Sequence, residues 1–239
     1  MDALADFGPW VEALLQGIWL TVLVTAVSAA CALVVAFVLG LMAGAPGRLP
    51  RTLSRIVVEF FRGTSLFVQL YWLYFVLPQL GYRLDAFAIA VLAFAMNFGA
   101  YGSEVVRGAV NAVPKPQREA TIALNMTPYQ RMRLVILPQA VVGMIPPFGN
   151  LLIQLLKSTP LVFTITLVDV MAVTKSYRDS EGNTFFIFTL ALGIYFVLAY
   201  LTTLLMSALE RRAKARIGQP APPRRGLLSW TAGVQGEVR

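Results

Sequence analysis

The chain has 239 residues, of which 57% are hydrophobic and only 13% charged, and its mean hydropathy is +0.68. Soluble domains carry about 25% charged residues, so water is not the main solvent of this chain. It holds 20 lysines and arginines against 12 acidic residues, no histidine and a single cysteine, Cys31, which excludes a disulfide framework and leaves no material for a histidine metal site or a Ser/His/Asp triad.

Five apolar segments predict an all-α integral membrane protein with about five crossings. They cover about residues 15–41, 64–80, 86–106, 140–171 and 184–209, and about 20 mainly apolar residues are enough for a helix to cross a bilayer. No lysine or arginine precedes Arg48, whereas a signal peptide begins with basic residues, so the first segment is predicted to be a retained span.

The basic residues predict the orientation of these spans. With the N-terminus outside, 16 of the 20 basic residues fall on the inner side, three fall outside, and Lys157 lies within a span. The positive-inside rule therefore places the loop 111–140 and the C-terminus in the cytoplasm. Because the basic residues lie between and after apolar segments, without forming a stripe on a soluble face, nucleic acid is not an expected partner.

Two shorter patterns predict local packing. Between the first two spans, charged residues recur every three or four positions, which predicts an amphipathic helix on the cytoplasmic surface: Arg51, Arg55, Glu59 and Arg62. In the third span, small residues recur at four-residue spacing, which favours close approach of another helix: Ala95, Gly99 and Ser103.

Prolines interrupt the fourth apolar segment. Pro146 and Pro147 lie in its first half, and the sequence 157–160 is K-S-T-P. Proline lacks an amide donor, and irregular backbone at membrane depth is tolerated where it is buried in protein or lines a wet cavity. The sequence therefore predicts a kinked helix, then an unwound segment, then a helical piece that runs to Met171.

The mainly polar loop 111–140 carries its own helix signals. Pro116 starts a predicted helix that runs through Glu119 to Leu124 and is closed by Asn125. Thr127 caps a second predicted helix, which has Pro128 at its first position, runs to Ile136 and ends at Pro138. Such a pair suits docking to a soluble partner, and a solvated loop is the alternative.

Residues of this loop resemble a known family. The matching residues are E-A-T (Glu119, Ala120, Thr121), Asn125 and V-I-L-P (135–138), and they resemble the E-A-A loop of binding-protein-dependent ABC importer permeases. That family has E-A-A, a glycine and I-x-L-P, so Thr121, Asn125 and Val135 depart from its pattern. The departure at Asn125 is mild, because asparagine also tolerates left-handed backbone geometry.

Three further stretches extend the resemblance over nearly all of residues 15–210. F-R-G-T-S-L-F-V-Q-L (61–70), A-Y-G-S-E-V-V-R-G-A (100–109) and L-K-S-T-P-L (156–161) are similar to the polar amino acid branch of the family. Within that branch, F-R-G-T-S, A-L-N-M and P-P-F-G-N-L-L-I-Q-L-L-K-S-T look most like permeases assigned to ectoine and hydroxyectoine uptake. Permeases for polar amino acids differ from these by only a few side chains.

The resemblance implies a type-1 ABC importer permease fold in the bacterial cytoplasmic (inner) membrane. The first expectation for the solute is the zwitterion ectoine or hydroxyectoine, and the alternative is a polar amino acid of the glutamine, glutamate, histidine or arginine type. The implied partners are ATP-binding-cassette ATPase subunits, a second permease subunit, identical or homologous, an extracytoplasmic solute-binding protein and membrane lipid. The chain has no G-x-x-x-x-G-K-[ST] loop, so we expect no enzymatic activity and no cofactor in it, with ATP and Mg bound by the ATPase subunits.

The resemblance also assigns candidate residues for coupling to the ATPase subunits: Glu119, Ala120, Thr121, Asn125, Leu137 and Pro138. The candidates for the solute pathway are inferred from the polarity and spacing of the residues. Asn150, Gln154 and Lys157 are spaced by four and three, so they share one helical face that continues to Ser158 and Thr159. Polar side chains at membrane depth face a bundle interior or a pathway, and interhelical hydrogen bonding or snorkelling is the alternative.

Weaker pathway candidates lie in the third span: Asn97, Tyr101 and Glu104. Many amino acid permeases of this branch have an aspartate where Ser158 stands. A site near the cationic Lys157 that lacks a carboxylate is therefore expected to disfavour cationic solutes.

Two other functional classes compete with the importer. An ion-coupled secondary transporter commonly has ionisable groups near the midplane, whereas Glu59, Glu104 and Asp169 lie near predicted span ends. A membrane anchor would not need two structured cytoplasmic helices. The predicted organisation is an extracytoplasmic segment 1–14, a permease domain 15–210 with the coupling loop 111–140, and a basic, flexible cytoplasmic tail 211–239.

Overall fold

The computed structural model describes residues 7–216, which form helices joined by short turns and contain no β-strand. In chain order the helices are α1 (Phe7–Ala43), α2 (Arg48–Gly63), α3 (Leu66–Tyr71), α4 (Ala86–Ala112), α5 (Lys115–Ala123), α6 (Pro128–Gln130), α7 (Leu137–Ser158), α8 (Val170–Glu181) and α9 (Thr184–Arg216). The chain follows α3 with a π-helical turn (Trp72–Val76) and a 3-10 turn (Leu77–Leu80). A second π-helical segment (Arg131–Ile136) joins α6 to α7, and a 3-10 helix (Thr159–Ile165) follows α7.

Four helical segments are long and apolar enough to cross a membrane: Pro9–Ala43, Ala86–Ala112, Pro128–Ile165 and Thr184–Ala215. The segment Leu66–Leu80 is apolar but shorter. Its 15 residues would measure about 22 Å as a regular α-helix, less than the roughly 30 Å of a hydrocarbon core.

The packing of α1 against α4 shows that the short segment also crosses the bundle. Gly99 lies against Val35, Gly102 against Ala36, and Gly40 against Val106, so the two helices run in the same direction. The amphipathic α2 stays at the end of α1, where the hydroxyl of Ser54 donates to the carbonyl of Leu39 at 2.7 Å. The chain must therefore return across the bundle between α2 and α4, and Leu66–Leu80 makes that return.

Small residues bring α1 and α4 into close contact. A Cβ atom added at Gly99 would lie 2.6 Å from Val35 Cγ1, and one added at Gly40 would lie 2.7 Å from Val106 Cβ. Contacts under 3.0 Å do not occur for real Cβ atoms, so larger residues would force the helices apart. The close approach predicted from the spacing of small residues in the third span is confirmed.

Two buried apolar clusters stabilise the bundle. One centres on Phe94, Leu70, Leu155, Val162 and Ile165 and joins α4, α3, α7 and the 3-10 helix after α7. The second lies towards the other end and joins α1, α4 and α7 through Ala36, Val106, Val113, Ile136 and Met144.

The fourth predicted span differs from the structure in two ways. Pro146 and Pro147 lie inside a helix, α7, but the segment 157–160, predicted to be unwound, belongs to the last turn of α7 and to a tight 3-10 helix, Thr159–Ile165. The helical piece predicted to end at Met171 is instead interrupted, and a separate helix starts at Val170. The interruption arises because Thr166 adopts a left-handed conformation (φ 69°) and Asp169 caps the new helix. At the chain ends, α1 begins at Phe7, α9 extends to Arg216, and residues 217–239 of the predicted tail lie outside the described residues.

Candidate functional site

The loop between α4 and α7 forms the predicted helix pair. Asn125 has φ 53°, the left-handed geometry expected of it, and its N–H donates to the carbonyl of Ile122 at 2.9 Å. Thr127 caps α6: its hydroxyl accepts from Gln130 N, and the side chain of Gln130 accepts from Thr127 N at 2.9 Å. Local sequence signals therefore define both helix ends in this loop.

The second predicted helix does not end at Pro138. The helix that Thr127 begins continues through the π-helical segment Arg131–Ile136 into α7, and Pro138 occupies the second position of α7. A π-helical turn changes the pairing of backbone groups, so the missing amide of a proline can be accommodated without a break. The loop 111–140 thus ends in a continuous helix that enters the membrane.

The candidate coupling residues divide into exposed and buried groups. Glu119 and Ala120 are exposed on α5, and Pro138 is exposed at the start of α7. Thr121 is buried and donates to the carbonyl of Arg118 at 2.7 Å. Leu137 is half-buried beside the second apolar cluster, which contains Ile136 and Met144. Glu119 and Ala120 are therefore available to a partner, whereas Thr121 holds the local backbone.

The loop between α4 and α7 also carries exposed apolar side chains. Leu124 is 70% exposed, Tyr129 68%, Leu134 61% and Ile122 56%. Apolar residues inside a mainly polar loop are a signal from which these positions could have been found in the sequence. Large apolar side chains that are exposed on a mainly polar segment are typical of a protein interaction site.

The helix pair is tied to the rest of the bundle. The guanidinium of Arg118 donates to the carbonyl of Val110 on α4, whereas that of Arg131 donates to the carbonyl of Met126 at 3.0 Å within the pair. The side chains of Gln139 and Gln117 join α7 to α5. A force applied to the exposed surface would therefore reach α4 and α7.

One face of α7 carries polar side chains without partners. Asn150, Gln154 and Lys157 are all exposed, and within residues 7–216 none of their side chains makes a hydrogen bond or an ion pair. Polar groups at membrane depth are costly in contact with lipid. This face is therefore suited to contact a water-filled space or another subunit.

The other two candidates on α7 bond to their own helix. Ser158 is half-buried and donates to the carbonyl of Gln154 at 2.9 Å. Thr159 is fully buried and donates to the carbonyl of Leu156 at 2.7 Å. Ser158 thus borders the polar face, whereas Thr159 lies inside the bundle.

Asn97 lies away from the polar face of α7. It is buried, and its amide donates to the carbonyl of Phe61 at 3.0 Å and to Gln69 Oε1 at 3.3 Å. The amide of Gln69 itself donates to Phe61 O at 3.0 Å and to the Thr64 hydroxyl at 2.7 Å. Asn97 therefore joins α4 to the junction of α2 and α3, and Gln69 was not recognised from the sequence.

The weaker candidates on α4 are also engaged by protein groups. Tyr101 is 39% exposed, and the guanidinium of Arg62 lies 5.3 Å from the centre of its ring. Glu104 forms an ion pair with Arg107 one turn later on the same helix.

A buried carboxylate lies where α1, α8 and α9 meet. Asp169 Oδ1 accepts from Ala172 N at 2.9 Å, and its Oδ2 accepts from the Tyr195 hydroxyl at 3.0 Å. Burial raises the pKa of the Asp169 carboxyl from its ordinary value of 3.8 to about 6, and the hydrogen bonds that it accepts oppose that shift. From the sequence alone Asp169 is only an acid near a span end, because its partner Tyr195 is 26 residues away.

Comparisons with known proteins give consistent results. Residues 36–215 match the family described as binding-protein-dependent transport system inner membrane component. The probable amino-acid ABC transporter permease protein y4tF of Sinorhizobium fredii is 37% identical over 86% of this chain and 89% of its own. The arginine transport system permease protein ArtQ of Bacillus subtilis is 35% identical over 87% of this chain and 95% of its own.

A solved structure has the same arrangement of helices. It is described as the crystal structure of an amino acid ABC transporter with histidines, and one of its chains superposes with a TM-score of 0.80 at 29% identity. The superposition covers 87% of the present chain and 97% of the solved one. The predicted all-helical membrane fold is confirmed.

Proposed function

Since this chain belongs to the family of binding-protein-dependent transport system inner membrane components and is a permease subunit of an ABC importer, we propose that its solute is a polar amino acid without net positive charge. Its fold is that of the type-1 importer permeases, and it is a multi-pass membrane protein. It is not an enzyme and binds no cofactor, because ATP is bound by ATPase subunits in such importers. The family implies these ATPase subunits and a second permease subunit as partners.

The expected bacterial inner membrane location is part of this proposal, and so is an extracytoplasmic solute-binding protein. The basic inner side of the chain and the exposed helix pair support that arrangement, with ATPase subunits on the cytoplasmic side. The family match argues against the two competing classes, the secondary transporter and the simple anchor.

The relatives favour an amino acid over ectoine. The matched proteins are named for amino acids in general, for arginine and, in the solved structure, for a complex with histidines. None of these names includes ectoine. The amino acid alternative therefore fits the comparisons better than the first expectation of ectoine or hydroxyectoine.

The single observation that supports the proposed charge of the solute is that Lys157 has no hydrogen-bond or ion-pair partner within residues 7–216. It is exposed on the polar face of α7, together with the neutral side chains Asn150 and Gln154. A lysine that lacks a carboxylate partner attracts the carboxylate of a solute and repels a cationic side chain, more strongly where the effective dielectric constant is low. We therefore propose that Asn150, Gln154, Lys157 and Ser158 border the solute pathway.

The exposed surface of α5 and α6 would couple transport to ATP hydrolysis. Glu119 and Ala120 would dock in a groove of an ATPase subunit, together with the apolar side chains Ile122, Leu124 and Tyr129. Asn125 and Thr121 would hold the two helices at the required angle, and Leu137 and Pro138 would continue the surface into α7. The exposure of these apolar side chains supports the assignment.

Uptake competition tests the proposed solute. The complete importer, with its ATPase subunits, its second permease subunit and its binding protein, would be reconstituted in proteoliposomes. Labelled glutamine uptake would be measured against unlabelled glutamine, glutamate, arginine and ectoine. We expect competition by glutamine or glutamate. Efficient competition by arginine would contradict the proposal, and so would competition by ectoine without competition by glutamine or glutamate.

A further inference from the structure

An apolar groove lies on the surface of the helix bundle between α1, α7 and α9. Its volume is about 710 Å³, and its wall includes Leu33, Phe37, Val142, Phe148, Met206 and Leu209. A second cavity of about 230 Å³ shares Leu33, Phe148, Met206 and Leu209 with it and continues towards Phe98 and Leu155. The two together form a channel-shaped depression that extends from the inner end of α9 towards the middle of the bundle.

The groove lies on the opposite side of α7 from the polar face. At about 100° per residue, Val141, Ile145 and Phe148 point roughly half a turn away from Gln154. The polar face is the one suited to a pathway or a second permease subunit. The groove therefore faces away from that contact, towards the hydrocarbon of the bilayer.

Among the described residues, one basic side chain lies at the inner mouth of the groove. Arg212 lines the mouth and is exposed, and it forms no ion pair within residues 7–216. The nearest acid on its helix, Glu210, is bound to Lys214 at 2.6 Å. An apolar slot thus ends at an arginine whose charge is not neutralised by the described part of the chain.

We propose that this groove binds one anionic phospholipid of the cytoplasmic leaflet, with an acyl chain between α1, α7 and α9 and the headgroup phosphate on Arg212. The planar guanidinium of arginine matches two phosphate oxygens at once. Basic side chains between transmembrane helices on the cytoplasmic side are the groups that hold anionic headgroups. A helix of another protein is the competing occupant, but within residues 7–216 the lining of the groove offers it one positive charge without an ion-pair partner and is otherwise apolar.

Native mass spectrometry of the intact importer tests this inference. The complex would be stripped of loosely held lipid and titrated with phosphatidylglycerol or with phosphatidylcholine of the same acyl chains. We expect phosphatidylglycerol to be retained preferentially. Arg212→Ala should weaken its binding about fivefold, since one arginine near an anionic headgroup contributes about 1 kcal/mol.

Arg211→Ala is the matched control, because Arg211 is exposed on the same turn and does not line the groove. Its phosphatidylglycerol binding should equal that of the wild type. Leu209→Trp, at a side chain that is 43% exposed, should reduce retention by filling the groove while leaving the complex assembled. Equal binding of the two lipids, or equal losses in the two arginine variants, would overturn the proposal.

A photo-crosslinking amino acid at Val141 separates the two occupants. Val141 lines the groove and is 39% exposed. Crosslinking to phosphatidylglycerol is expected, whereas crosslinking to another subunit in the assembled importer would show that a protein fills the groove.

Discussion

The hydroxyl of Tyr195 donates a 3.0 Å hydrogen bond to Oδ2 of Asp169 and so joins α9 to the first turn of α8. The backbone of Asp169 packs 3.1 Å from the position a Cβ would take at Gly17, and Thr21 Oγ1 accepts from Val170 N at 3.5 Å. Three helices therefore meet at one buried carboxylate, at the end of the bundle opposite the exposed helix pair.

The Tyr195→Phe variant should lose about 1 kcal/mol of stability, the usual contribution of one intramolecular hydrogen bond. Thermal unfolding of the purified importer in detergent measures the loss as a lower melting temperature. Tyr200→Phe is the control, since Tyr200 is 55% exposed and stacks on Phe196. An equal change in both variants would mean that the Asp169 hydrogen bond contributes nothing specific.

Asp169 also predicts a pH dependence. Its pKa is about 6 in the folded chain and near 3.8 when unfolded, so between these values the folded state retains a proton that the unfolded state has lost. Stability should therefore be highest below about pH 4 and fall as the pH rises to about 6. The isosteric Asp169→Asn variant should flatten this part of the melting curve against pH.

Asp85→Asn is the control for that experiment. Asp85 caps α4 by accepting from Ala88 N at 3.1 Å, but it is exposed. The slope between pH 4 and 6 should persist in this variant. A slope that survives in Asp169→Asn would assign it to another group.

Glu119→Lys should leave the chain inserted and assembled with its second permease subunit but abolish solute-stimulated ATP hydrolysis. A reversed charge in a docking groove costs several kcal/mol through like-charge contact and desolvation. ATP hydrolysis in proteoliposomes, with and without the loaded binding protein, measures the effect. Asn111→Lys adds a positive charge at an exposed position outside α5 and should retain activity; undiminished transport by Glu119→Lys would remove Glu119 from the interface.

Lys157→Glu should shift solute preference towards cations. A carboxylate on the polar face of α7 attracts the side chain of arginine, whereas Lys157 repels it. The ratio of arginine to glutamine uptake is expected to rise at least tenfold in proteoliposomes, which corresponds to about 1.4 kcal/mol. Lys175→Glu makes the same change on α8, where Lys175 is exposed, and should leave the ratio unchanged.

A second pair of variants tests the same segment by removal. Lys157→Met and Ser158→Ala eliminate the charge and the hydroxyl without introducing an acid. Efficient arginine transport by the wild type that survives both changes would show that this segment does not set the charge of the solute.

Labelling of single cysteines tests the orientation. In a variant without Cys31, a cysteine at Ser180 should react with an impermeant maleimide in intact cells, because α8 lies at the outer end of α1. Cysteines at Asn111 and at Glu210 should react only after permeabilisation. Labelling of the cysteine at position 180 only after permeabilisation would contradict the orientation assigned by the positive-inside rule.

Local signals made the helix pair predictable, whereas tertiary contacts decided the rest. Asn125 and Thr127 act on backbone groups within a few residues, so their roles could be inferred from the sequence. The end of the helix at Pro138 was wrong, because a π-helical turn accommodates the proline. Asn97 and Asp169 could not be interpreted alone, since the partners that satisfy them, Gln69 and Tyr195, are 28 and 26 residues away.

The helix that begins after Thr127 continues through the π-helical segment to Lys157, so the proposed docking surface and the polar face lie on one continuous helical rod. Thirty residues of helix extend about 40 to 45 Å, so tilting the rod by about 5° about one end moves the other by about 4 Å. No loop lies between the two ends to absorb the motion. If an ATPase subunit docks on α6 as proposed, its movement would be transmitted to Asn150, Gln154 and Lys157 along one helix, and the stiffness of that helix would limit how far they move.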